Sequence, residues 1–275
     1  MTQLLAIASA AMFGVADFAG GLATRRLSAW TVTAWSQLAG TPILVLGLAV
    51  VAAPNPTRGD LVWGATGGIF GLIGLAIMYA TLAAGTMSIV APIIGAGAAM
   101  LPVAWAVATG ESIVGVQWIG IIAAGCAVAI LASEPGAGRL DRRLFLQALA
   151  AAFGFAVFFI ALGQTHEDSG LWPLAAARAV TIPVAFGVLI VTRRHRLVPH
   201  GTWRLIVVTG AFDMAANVAI VLAVQRGPLG INAVLGSLYP LFTVAAAITI
   251  LRERPSSRQV AGIVLALGAI LLLAI

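Results

Sequence analysis

Three ionisable side chains, Asp17, Arg178 and Asp213, stand well inside long apolar runs of the sequence. A charge near the centre of a membrane helix costs about 2.5–3.5 kcal/mol on insertion scales, so each needs a partner or a use. Asn217 follows Asp213 by four residues, which on a helix places the amide and the carboxylate on one face. Arg178 lies at a matching depth in the preceding run if the two runs form an antiparallel hairpin. Two chemistries fit this pattern. In one, Asp17, Arg178, Asp213 and Asn217 line a polar cavity and hold a zwitterionic or charged substrate, with a carboxylate available to take a proton. In the other, Arg178 and Asp213 are a structural pair that neutralises itself.

The aromatic residues Trp35, Tyr79, Trp105 and Tyr239 fall within apolar runs or toward their ends and could stack on a solute. Gln37 is an intramembrane amide that needs a neighbouring helix or a ligand as partner. The fourth run carries Pro92, Gly95, Gly97 and Pro102, and the ninth carries Gly230, Gly236 and Pro240. Helix interruptions at corresponding places in two halves point to a central site, because a kinked helix exposes carbonyls. The same small residues also permit tight packing without any site. Trp30, Trp63, Trp118, Trp172 and Trp203 lie at run ends, as an interfacial belt does. Glu111 and Glu253, in short turns at helix starts, are placed to cap helix N-termini.

Other chemistries lack their residues. The three histidines, His166, His195 and His200, all fall between apolar runs, and His166-Glu167 lacks the second histidine of a zinc-protease helix. No GxSxG is present. Gly95-Ala96-Gly97 opens like a dinucleotide-binding box, but Met100 stands where its third glycine belongs and no strand precedes it. The single cysteine, Cys126, can form neither an internal disulfide nor a cysteine-based metal site. The expectation is a chain with no cofactor and no metal.

The elements that must position these residues follow from composition. Of 275 residues, 61% are hydrophobic and 9% charged, with a mean hydropathy of +1.07; soluble domains run nearer 45–50% apolar and about 25% charged. All 15 basic residues are arginine. Scattered between uncharged runs, they form no basic face for nucleic acid and read as membrane-orientation signals. A bilayer core needs roughly 20 apolar residues per helix. Ten such runs lie near 3–22, 30–53, 62–83, 87–108, 113–132, 144–163, 171–191, 204–225, 228–250 and 259–275. The first reads as a transmembrane helix rather than a cleavable signal, since no basic residue precedes it.

Pairing residue n with residue n + 142 aligns 1–133 with 143–275 without gaps, leaving 134–142 as a linker. About 25 of those pairs are identical, where this composition gives about 14 by chance. They cluster: Gly85, Ile89 and Ala91 match Gly227, Ile231 and Ala233; Gly68 and Phe70 match Gly210 and Phe212; Glu111, Gln117, Gly120 and Ile121 match Glu253, Gln259, Gly262 and Ile263. Five helices per repeat is an odd number, so the second repeat enters the membrane from the opposite side. The predicted fold is an all-α integral membrane protein, its ten transmembrane helices forming two inverted five-helix repeats, a transporter architecture.

The chain as a whole resembles the drug/metabolite transporter superfamily, specifically its ten-helix EamA-type exporters. The resemblance rests on the acidic turn and glycine-bearing last helix of each half, Gly110-Glu111-Ser112 through Gly120 and Arg252-Glu253-Arg254 through Gly262. It rests also on Pro240 within Ser237-Leu238-Tyr239-Pro240 and on the opening Phe13-Gly14-Val15-Ala16-Asp17-Phe18. Ala98 stands where a partner to Pro240 would fall. The resemblance implies a secondary active or facilitative transporter of a small organic solute, an exporter of amino acids or related metabolites, working by alternating access. It would sit multi-pass in the plasma (inner) membrane, as a monomer or homodimer within the lipid bilayer. An intramembrane enzyme, or a non-transporting scaffold or lipid-handling protein, is the alternative. Apart from Arg58, Arg178 and Arg226, the arginines fall after helices 1, 5, 7 and 9, at one membrane face. The positive-inside rule then puts both termini outside, whereas the resembling family usually has both inside.

Overall fold

The computed structural model describes residues 2–51, 56–108, 115–132, 141–193, 198–226 and 238–273. Within them the chain forms ten α-helices: α1 (Thr2–Thr24), α2 (Ala29–Val50), α3 (Arg58–Ala84), α4 (Met87–Ala108), α5 (Gly115–Ala132), α6 (Arg142–Gly163), α7 (Trp172–Val191), α8 (His200–Arg226), α9 (Tyr239–Ile250) and α10 (Ser257–Leu273). α1, α2, α3, α6, α7 and α8 are each long and apolar enough to cross a membrane. The other four carry shorter apolar stretches, Met87–Leu101, Trp118–Leu131, Tyr239–Ile250 and Ser257–Leu272. In hydrocarbon every backbone N–H and C=O must be paired within its own segment, which is why these runs are helical. Side chains such as Leu46, Ile122, Ile190 and Val264 are more than half exposed on the outer surface, where lipid replaces water as the solvent of apolar groups.

Polar residues set the helix starts. Ser28 Oγ accepts from Thr31 N at 3.1 Å, and Thr57 and Asp60 form a reciprocal capping box at the head of α3. Ser256 and Gln259 do the same for α10, with Gln259 Oε1 accepting from Ser256 N at 2.8 Å. Capping of α10 is therefore not the task of Glu253. Its carboxylate instead accepts from Met87 N (3.1 Å) and Ser88 N (2.9 Å), closing the N-terminus of α4 in the other half of the chain. Glu111 lies outside the described residues.

Helix packing respects an exchange of the two halves. α1 packs on α8 as α6 packs on α3, α2 on α8 as α7 on α3, and α1 on α9 as α6 on α4; α2 with α7, α4 with α9 and α5 with α10 pair across the centre. Small residues permit the closest crossings. A Cβ on Gly210 of α8 would overlap the Ser36 carbonyl oxygen of α2, and one on Gly68 of α3 would stand 2.8 Å from Ala177 Cα of α7. These two crossings bring α2, α3, α7 and α8 together around the centre of the molecule.

The expected interruptions take a different form. α4 runs as a single helix through Pro92, Gly95, Gly97 and Pro102. A Cβ on Gly95 would stand 2.6 Å from Pro240 Cγ, and one on Gly97 2.9 Å from Ala152 Cβ, so both glycines serve close approach to α9 and α6. Pro240 stands in the first turn of α9, where its missing N–H has no partner to lose. Gly230 and Gly236 lie outside the described residues.

Candidate functional site

At the centre, Arg178 of α7 reaches across to Asp213 of α8: Nη2 donates to Oδ2 at 2.6 Å, with the two side chains 14% and 16% exposed. The contact is a charge-assisted hydrogen bond made through one nitrogen, and a guanidinium carries five N–H donors, so among the described residues the remaining ones are open to a further acceptor. One turn on, Asn217 Nδ2 donates to the Asp213 backbone carbonyl at 2.8 Å, which locks the amide and leaves its oxygen as an acceptor. On α2, Gln37 is buried and its Oε1 accepts from Thr181 Oγ1 of α7 at 2.5 Å. A neighbouring helix thus supplies the partner that an intramembrane amide requires, while the amide nitrogen stays available.

These groups share one cavity of about 90 Å³. Phe13, Gln37, Gly71, Leu75, Arg178, Asp213 and Asn217 line it, and Gly68, Leu72, Phe155, Phe158, Phe159, Leu174, Ala177 and Thr181 complete its wall. Polar groups are gathered on α2, α7 and α8, while α3 and α6 contribute only apolar surface.

Asp17, on α1, lies outside the cavity wall. It is 7% exposed, and among the described residues no hydrogen-bond donor reaches its carboxylate. The Tyr79 ring lies against Gly20, one turn from Asp17, where a Cβ would come within 2.6 Å of Tyr79 Cζ. Tyr79 is fully buried, and its hydroxyl has no partner among the described residues. Tyr239 meets Phe13 edge-on, ring centres 6.2 Å apart, and so backs the cavity through it.

The structure therefore brings Gln37, Arg178, Asp213 and Asn217 to one cavity, leaves Asp17, Tyr79 and Tyr239 outside its wall, and separates Trp105 from it. Trp105 is 47% exposed on the outer surface of α4. Trp35 packs edge-on with Phe186 and Trp203, in an aromatic cluster away from the cavity. Among the described residues no group of histidine, cysteine and carboxylate side chains is placed to hold a metal ion. His166 pairs with Asp60, at 3.0 Å from Nδ1 and 2.8 Å from its own backbone N–H, tying the loop before α7 to the head of α3. The residues that sequence reasoning missed are the cavity's apolar wall and Thr181. Phe155, Phe158 and Phe159 follow one another by three and one, which puts them on a single helix face, and that spacing is the signal that was available.

The EamA-like transporter family model matches the chain twice, over residues 1–133 and 143–275. No curated protein matches it. A solved structure described as "Crystal structure of protein" is similar over 98% of this chain and 95% of its own, with a TM-score of 0.66 at 15% identity, a likeness of fold alone.

Proposed function

The chain belongs to the EamA-like transporter family, a membrane transporter family for small solutes, and on that premise we propose that it exports amino acids or related zwitterionic metabolites by alternating access, in the plasma membrane. One observation carries the substrate class: a guanidinium and a carboxylate held together by a single hydrogen bond, both facing a central cavity with bonding capacity to spare. A structural pair insulated from solutes would be expected to close on itself through two parallel bonds. Here the donors of Arg178 that find no partner among the described residues suit a solute carboxylate, and the second oxygen of Asp213 suits an ammonium. Gln37 and Asn217 add a neutral donor and a neutral acceptor to the same cavity. Two inverted halves packed by equivalent contacts supply the means to open the site to each face in turn.

The test is exchange of radiolabelled amino acids in vesicles reconstituted with the purified protein. Counterflow above that of empty vesicles is the expected result. Its absence for a full amino-acid panel, with folded protein in the membrane, would leave the enzyme and scaffold alternatives instead.

A further inference from the structure

Equivalent positions of the two repeats meet in the cavity and are decorated oppositely. Adding 142 carries Phe13 to Phe155, Gly71 to Asp213 and Leu75 to Asn217, and all six residues line the cavity. The first pair is the same residue twice. In the other two, an apolar wall on α3 stands for a polar wall on α8, each with its two residues one helical turn apart. The same offset carries Ser36 to Arg178 and Asp17 to Phe159. One architecture has thus produced a charged half on α7 and α8 and an apolar half on α3 and α6.

We infer that the solute is an amino acid, or a close analogue, with a bulky apolar or aromatic side chain, its charged head held by Arg178 and Asp213 and its side chain lying against Gly71, Leu75 and Phe158. This rests on the zwitterion reading above and narrows it. The walls on α3 and α6 offer a solute no hydrogen bond, so a polar side chain moved there would lose its water without compensation. An apolar side chain gains by the same transfer, in proportion to the area it hides. Gly71 sets the room available. A Cβ there would stand 3.2 Å from Phe158 Cδ2 and 3.3 Å from Cγ, tighter than ordinary contact, so the Phe158 ring, itself part of the cavity wall, would have to shift by a few tenths of an ångström.

Counterflow in reconstituted vesicles tests this with labelled leucine and phenylalanine against labelled glycine, serine and aspartate. Leucine and phenylalanine should exchange about tenfold faster or more than the polar set, since a single methylene in an apolar pocket already discriminates on that scale. Gly71→Ala should slow phenylalanine more than leucine, and Phe158→Ala should reverse that order of sensitivity. Both variants are to be checked for wild-type elution and melting, and the ratio between substrates is insensitive to how much protein inserts. Equal or faster exchange of the polar set would overturn the inference while leaving the zwitterion reading intact. Unaltered selectivity in both variants would overturn the assignment of the wall. Failure of every amino acid in the panel would remove both readings.

Discussion

Arg178 Nη2 and Asp213 Oδ2 lie 2.6 Å apart on neighbouring helices, and that one bond is the whole of their contact. The pair stabilises each charge against the low dielectric around it while keeping both exposed to the cavity. Removing one partner strands the other, so the consequences of single substitutions are large and asymmetric. Asp213→Asn keeps the shape of the side chain and removes its charge. We expect amino-acid exchange to fall by at least about a hundredfold, roughly the 3 kcal/mol scale of a stranded buried charge, with the protein still eluting as a folded species. Exchange at the wild-type rate would count against the site.

Asp17 gives a second prediction. Its carboxylate has no donor among the described residues and is buried on α1, which packs on α8, the helix of Asp213. Asp17→Asn should weaken solute affinity, raising the half-saturating concentration in counterflow by about tenfold, the scale of 1.4 kcal/mol. It should not lower the melting temperature, because no native hydrogen bond is lost with it. A lower melting temperature and unchanged affinity would make the residue structural.

Glu253 tests the joining of the halves. The two backbone N–H groups it accepts from belong to α4, more than 160 residues earlier. Glu253→Ala should destabilise the protein by about 1 kcal/mol, the usual worth of a helix cap, measured by denaturant unfolding in detergent. Glu253→Gln, which keeps one acceptor oxygen, should lose about half as much. A neutral Glu253→Ala would show that the cap adds nothing to stability.

Gly210 tests the packing that positions Asp213. A Cβ there would overlap the Ser36 carbonyl oxygen, a backbone atom that cannot swing away. Gly210→Ala should destabilise by about 1–3 kcal/mol, as overpacking does, and should lower exchange of every amino acid by the same factor. A change in selectivity would mean that Gly210 shapes the cavity directly.

Much of this arrangement could be seen in the sequence because contrast with surroundings made it visible. Arg178, Asp213 and Asn217 stood out as polar residues in apolar runs, and their depth and spacing predicted the contact that the structure contains. Gln37 was recognised by the same contrast, though not its partner Thr181. The apolar wall had no such contrast: Phe155, Phe158 and Phe159 sit in a run where every neighbour is also apolar. In a membrane both the lipid-facing and the core-facing sides of a helix are apolar, so hydropathy does not say which way a ring points. Trp105 and Tyr79 show the same limit from either side, one turned outward and one sealed inside. Gly95 and Gly97 read as possible breaks because glycine signals both kinks and close packing, and only the neighbours, Pro240 and Ala152, decide between them. Glu253 was expected at a helix N-terminus, but a tertiary contact chose which one.

The double substitution Arg178→Ala with Asp213→Ala, assayed by amino-acid counterflow beside both single variants and the wild type, bears most directly on the central claim. Removing both members of a partly buried pair leaves no stranded charge, so a pair that only neutralised itself would be replaced with little loss of stability or activity. The transport-site account predicts a double variant that melts at or above the temperature of either single variant and exchanges no amino acid. A double variant that recovers wild-type exchange would contradict it.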